Sequence, residues 1–181
     1  YLLCRRRETD GTWRDIADCT HATLREGDRV KVGVEVDRAA HAWIFDFNDS
    51  GQFQALFPAR GEDNTLVAGT RLWLPPGDDW LEADAVRGVV EHLHVIASVV
   101  PLVELDRMRG VDVAPGAEAI GREKVRETRG LLERYTTRGF KRISAGATVE
   151  QVKVGTELVA TIPQVVARPG VAAVEFRLAH E

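Results

Sequence analysis

A chain of 181 residues, 44% hydrophobic and 29% charged, is long enough to bury a substantial core. Its 24 basic and 28 acidic side chains give a formal net charge of −4, against the basic excess usual in nucleic-acid binders. No apolar run approaches the roughly 18 residues of a membrane-spanning helix, and two cysteines exclude a disulfide-dense scaffold.

Tyr1 stands in place of a methionine, so a start inside a longer polypeptide is expected. Tyr1-Leu2-Leu3-Cys4 has a loose likeness to a lipoprotein cleavage site. Leu3 is not the small residue such a site needs, and no apolar stretch precedes it. A β-strand is the simpler reading. Asp10-Gly11 suits a two-residue hairpin turn, whose central positions need positive φ. That register pairs Thr9 with Thr12, Arg6 with Asp15 and Cys4 with Ala17. Cys19 is then only diagonal to Cys4, roughly 7 Å away and beyond an unstrained disulfide. Two free thiols are expected, favouring a reducing, cytoplasmic setting.

Val30, Val32, Val34 and Val36 alternate with Arg29, Lys31, Glu35 and Asp37, the period of a half-buried strand. Aromatic-rich strands follow over 41–47 and 52–57, joined by the hairpin loop Asn48-Asp49-Ser50-Gly51. Pro58 ends the second. Further strands are expected over 70–74, 80–85 and 90–100. Pro101 to Arg109 suits a short helix with proline in its first turn. Ala117 to Arg138 reads as a charge-dense helix with Ile120, Leu131, Leu132 and Tyr135 as its apolar positions, weakened by Gly121 and Gly130. Alternation returns over 149–154, 157–162 and 171–178. The fold class implied is mainly β: an antiparallel β-sandwich, Ig-like or related, with a C-terminal helix and extra strands. The units expected are a hairpin over 1–22, a sandwich core over 23–110 and a helix-plus-strand extension over 111–181.

Chemistry is sparse. Asp46-x-Asn48-x-Ser50-Gly51 begins like a calcium loop, but Phe57 occupies the twelfth position, where a bidentate glutamate belongs. His92 and His94 share a strand face, and His180 is a conceivable third ligand. With no third ligand near the pair, no metal and no cofactor are expected. Cys19 and His21 would also share a face, but a thiolate nucleophile needs an orienting partner and an oxyanion site besides. There is no phosphate loop and no nucleophile elbow. No catalytic residue and no enzymatic activity are expected. Of Trp13, Trp43, Trp73 and Trp80, Trp73 lies out of phase with Leu72 and Leu74 and so points outward. The candidate binding residues are Trp73 and Trp80 on the sheet, with Ile120, Leu131 and Tyr135 on the long helix.

Several short pieces stand in a definite order and spacing: Leu24-x-x-Gly27-Asp28-x-Val30 with Ala42-Trp43-Ile44-Phe45, then Asn48-Asp49-Ser50-Gly51 with Leu56-Phe57-Pro58. Asn64, Ala68-Gly69 and Leu74-Pro75 follow, then Val95-Ile96-Ala97-Ser98 with Pro101-Leu102. Over Thr23 to Leu105 the chain resembles the bacterial domain-of-unknown-function family 4384, in which the Trp43 position is often tyrosine. The resemblance implies an all-β accessory module of proteins that also carry kinase, caspase-like peptidase or other signalling parts. It supplies no catalytic residue. The function expected is a non-catalytic module contacting a protein partner or other domains of its parent chain, with no nucleic acid and no membrane span. A glycan- or envelope-binding module using exposed tryptophans is the alternative, and an uncharacterised hydrolase using Cys19 and His21 or a His92/His94 metal is the third reading.

Overall fold

The computed structural model describes residues 1–19, 22–48, 50–84, 88–113, 118–136, 150–154, 157–161, 166–168 and 171–180. Its strands are β1 (Leu2–Arg7), β2 (Trp13–Ile16), β3 (Thr23–Leu24), β4 (Arg29–Glu35), β5 (Ala40–Asn48), β6 (Phe53–Phe57), β7 (Thr65–Leu66), β8 (Arg71–Leu74), β9 (Leu81–Glu82) and β10 (Val90–Ser98). Then come the helix α1 (Val103–Asp106), β11 (Asp112–Val113) and the long helix α2 (Glu118–Thr136). The chain closes with β12 (Glu150–Val154), β13 (Glu157–Thr161), β14 (Val166–Arg168) and β15 (Val171–His180).

Two sheets form a sandwich. The first runs β12-β13-β1-β4-β8, with β2 beside β1 and β9 beside β4. The second runs β11-β6-β5-β10-β15-β14, with β3 beside β15 and β7 beside β5. Pairing is antiparallel apart from the short β3–β15 contact. The segments 1–22, 23–110 and 111–181 all supply strands to these two sheets. β15 pairs with β10 along its length, from Val90 opposite Ala179 to Ser98 opposite Val171.

The valine alternation turns one face of β4 into the sandwich interior. Val30, Val32, Val34 and Val36 are buried there with Leu2, Ile44, Leu93, Phe176 and Leu178. A second core lies on the far side of the second sheet. Trp43, Phe45, Phe47, Phe53 and Ile96 meet Leu105 and Met108 from the α1 region and Val125 and Leu131 from α2. Two-sided burial explains why β5 carries both sets without a polar face. The contact is close at Gly121, where an added Cβ would lie 1.6 Å from the Gly51 carbonyl oxygen. The glycine that weakens the helix by propensity is the one that lets it reach the β5–β6 hairpin.

Two expectations are corrected here. Cys4 and Cys19 are not free thiols but a disulfide, with Cα atoms 5.7 Å apart. The hairpin closes through three residues, Thr9-Asp10-Gly11, with Glu8 N donating to Thr12 O at 2.9 Å. Only Gly11 takes positive φ, at 84°, as in a turn followed by a left-handed residue. The register therefore slips by one, and Cys4 faces Ile16. The chain leaves the strand after Ile16, so Cys19 is not a diagonal neighbour on β2 but folds back over Cys4. Leu131 is the second correction. It is 4% exposed within the second core, so α2 covers its own domain rather than offering that side chain to a partner.

Candidate functional site

α2 covers part of the outer face of the second sheet, and the outer face of the first carries an aromatic and charged surface. Alternation that sends the valines inward sends Arg29, Lys31, Gly33 and Glu35 outward, and neighbouring strands add to the same face. Tyr1 lies next to Gly33, its backbone nitrogen donating to the Gly33 carbonyl at 2.8 Å.

Trp73, opposite Gly33, lies flat on it, since an added Cβ there would sit 2.7 Å from the ring. The aromatic rings alternate with cations. Arg71 stands 4.2 Å from the Tyr1 ring and 5.8 Å from Trp73. Arg5 lies 4.6 Å and Lys31 5.5 Å from Trp80, and Arg29 lies 4.2 Å from Trp13. Carboxylates hold two of the guanidinium groups. Arg5 bonds Asp15 at 2.8 Å, and Arg71 bonds Glu35 at 2.5 Å. Hydrogen bonds from Arg71 and then Tyr1 keep the Glu35 carboxyl below its ordinary range.

Trp73 and Trp80 both lie half-buried on this outer face, Trp73 in the outward phase read from its strand. Trp43 alone of the four is core, 0% exposed, with Nε1 donating to Asp106 Oδ1 at 3.0 Å. Ile120 is exposed on α2, apart from the first sheet's outer face. The Tyr135 side chain and His21 lie outside the described residues. The disulfide occupies Cys19, which removes the thiolate-nucleophile reading. The cations that interleave the tryptophans were missed, although Arg5, Arg29, Lys31 and Arg71 each sit at an outward position of an alternating strand.

A cavity of about 400 Å³ opens between the sheets. Asp46, Asp84, Glu91 and His180 line it over a floor that includes Leu81 and Leu93. Asp46 Oδ1 and both His180 ring nitrogens are buried without a hydrogen-bond partner. Burial first, then the charge and hydrogen bond of Glu91 and the charge of Asp84, push the Asp46 carboxyl well above 3.8. A raised carboxyl holds its proton in the folded state. Its contribution to stability is full at low pH and is lost as pH rises through the folded value. Asp46→Asn should therefore raise the melting temperature at mildly alkaline pH and flatten its fall between acidic and alkaline buffer. An unchanged pH profile would show that Asp46 ionises without cost.

On the opposite face of the second sheet, β15 brings Glu175 beside the histidine pair. Glu175 pairs with His94 across the strands, and His92 Nδ1 lies 2.9 Å from Glu175 Oε1. The hydrogen bond from His92, then the charges of His94 and Arg177, hold the Glu175 carboxyl at about 2 against partial burial. The expected absence of a metal rested on the lack of a third ligand, and Glu175 supplies that ligand type. His180 does not join them, since it sits on the other face with Phe176 and Leu178.

The residues that carry the family likeness hold structure. Asp28 is 2% exposed and accepts from Arg6 at 2.6 Å and from Arg25 N at 2.9 Å. Asn48 Oδ1 accepts from Ser50 Oγ at 2.6 Å and Gln52 N at 3.1 Å, closing the β5–β6 turn as expected from its sequence. Asn64, 3% exposed, donates to the Ala42 carbonyl and accepts from Arg109 at 3.0 Å. No curated protein and no solved structure matches the chain. Residues 23–101 match the model of a family described as a domain of unknown function, DUF4384, which supports the family that these motifs resemble.

Proposed function

We propose that the chain is a non-catalytic accessory module of a larger bacterial signalling or peptidase protein, and that it works by contact with another protein segment. The observation that carries this reading is the outer face of the first sheet, where Tyr1, Trp13, Trp73 and Trp80 interleave with Arg5, Arg29, Lys31 and Arg71. Tryptophan, tyrosine and arginine are the side chains that dominate binding energy at protein interfaces. Asp15 and Glu35 bond Arg5 and Arg71 there, and buried Lys31 donates to the Gly77 carbonyl, so ring surface rather than net charge would carry the contact. Guanidinium groups already lie over the rings of Trp13 and Trp80, which disfavours sugar stacking on those faces. The motif residues Asp28, Asn48 and Asn64 are engaged in folding, which supports a role without catalysis. The buried disulfide favours an oxidising compartment over the cytoplasm.

The test is titration of the isolated module with the remaining segments of its parent protein, supplied as a separate polypeptide. Binding should weaken by more than about tenfold in a Trp73→Ala, Trp80→Ala double variant. Unchanged affinity in the double variant, or no association in either, would overturn the reading. Tryptophan-dependent retention on a glycan array without protein binding would replace it with the carbohydrate alternative.

A further inference from the structure

The strand register assembles a donor set that neither β10 nor β15 contains alone. His92 and His94 lie two apart on β10 and so share its outer face. β15 runs antiparallel beside it, with Glu175 directly opposite His94 and Arg177 opposite His92. One ligand atom from each of His92, His94 and Glu175 lies within 4.8 Å of the other two. We infer that His92, His94 and Glu175 form a binding site for a divalent transition-metal ion of the zinc class, with one coordination position left to water.

The His92–Glu175 pair needs little movement, and the set as a whole, within 4.8 Å, has to close by at most about 1.5 Å. Metal–ligand bonds of about 2.0–2.2 Å in a tetrahedron place donor atoms about 3.3 Å apart. His92 Nδ1 and Glu175 Oε1 are already 2.9 Å apart, so an ion taking the place of the shared proton requires a separation of about 0.4 Å. Both imidazoles are braced by one ring: Phe47 stacks on His92 at 5.5 Å and on His94 at 4.7 Å between centroids. His92 is 6% exposed and Glu175 borders solvent, giving an anchored inner ligand with an approach from outside. Two imidazoles and one carboxylate suit zinc and its neighbours, whereas magnesium and calcium prefer all-oxygen sets. Three protein ligands leave the fourth position open.

Arg177 tunes the site. Its Nε donates to the same Glu175 Oε1 at 3.1 Å, and its side chain is 59% exposed. The guanidinium therefore competes with a cation for the carboxylate and can swing into solvent when one binds. Removing it should tighten metal binding, an effect opposite in sign to removing a ligand.

The experiment uses protein without a histidine tag, stripped with chelator and titrated calorimetrically with Zn²⁺. Co²⁺ absorption serves as a second readout of coordination. Wild type should bind one ion with a tetrahedral Co²⁺ spectrum. His94→Ala and Glu175→Gln should each weaken binding by about 100-fold or more, at or beyond the upper end of what changes to supporting residues cost. Arg177→Ala should strengthen it several-fold. His92 is buried, so the test does not depend on its variant folding. No stoichiometric binding by wild type would overturn the site. So would affinity unchanged in both His94→Ala and Glu175→Gln, with melting temperatures showing the variants folded.

Discussion

Replacing Cys4 by Ser should cost the folded state about 3 kcal/mol, the scale for a cross-link closing a loop of this length. The disulfide joins residues 15 apart in sequence. For a chain of this size that corresponds to a fall of about 6–12 °C in melting temperature. Both sulfurs are buried, Cys4 at 2% and Cys19 at 1% exposure, so the variant also leaves a thiol and a hydroxyl in the interior core. The loss should appear equally in wild type treated with reductant under partly denaturing conditions, and reductant should have no further effect on the variant. Thermal melts with and without reductant decide it. Equal melting temperatures for the oxidised protein and the variant would mean that the ion pair of Arg6 with Asp28 already fixes the hairpin.

The N-terminal hairpin shows where sequence reasoning holds and where it fails. A turn at Asp10-Gly11 was legible because glycine there has few other uses. The register was not, because Asp10-Gly11 serves either a two-residue or a three-residue loop, and the choice shifts each partner on β2 by one position. That shift, with the chain's exit after Ile16, separates two free thiols from a disulfide. The valine alternation of β4 was legible because one face of that strand meets a core and the other meets Trp73, Tyr1 and solvent. The destination of α2 was not. Its apolar positions are few, and nothing in their spacing says that Trp43, Phe45 and Phe47 form an apolar face waiting for them. The outward side of β5 held that information: a strand apolar on both faces must be covered twice.

The donor set around His92 failed for a related reason. Residues two apart on one strand are visible in sequence, but Glu175 lies more than eighty positions away and enters through the β10–β15 pairing. Had the C-terminal alternation from Val171 been taken as the neighbour of β10, the Glu175-to-His94 register would still have required one fixed pair to set it. The short strands β3, β7 and β11 were missed because two residues carry no period.

Replacing Trp43 by Ala should be the most damaging single change in the second core. The side chain is 0% exposed and belongs to the cluster that joins the second sheet to α1 and α2. Truncating a buried tryptophan costs about 3–5 kcal/mol through lost transfer energy and the cavity left behind. A second loss adds to it. Trp43 Nε1 donates to Asp106 Oδ1 at 3.0 Å, and the same oxygen accepts from Arg109 Nη2 at 2.7 Å. Arg109 in turn donates to the Glu62 carbonyl at 2.7 Å and to Asn64 at 3.0 Å. The indole thus ties β5 to α1 and, through Arg109, to the loop before β7. Trp43→Phe separates the contributions, since it keeps most of the ring volume and removes the donor, for a cost of about 1–2 kcal/mol. Denaturant unfolding should rank wild type above Trp43→Phe and Trp43→Phe well above Trp43→Ala. Proteolysis should then cut first between β10 and the end of α2 in the alanine variant, because those segments lose their anchor while the valine core between the sheets stays packed. Equal stabilities for the two variants would assign the cost to the hydrogen bond. Cleavage beginning in β4 would show that the two cores unfold as one.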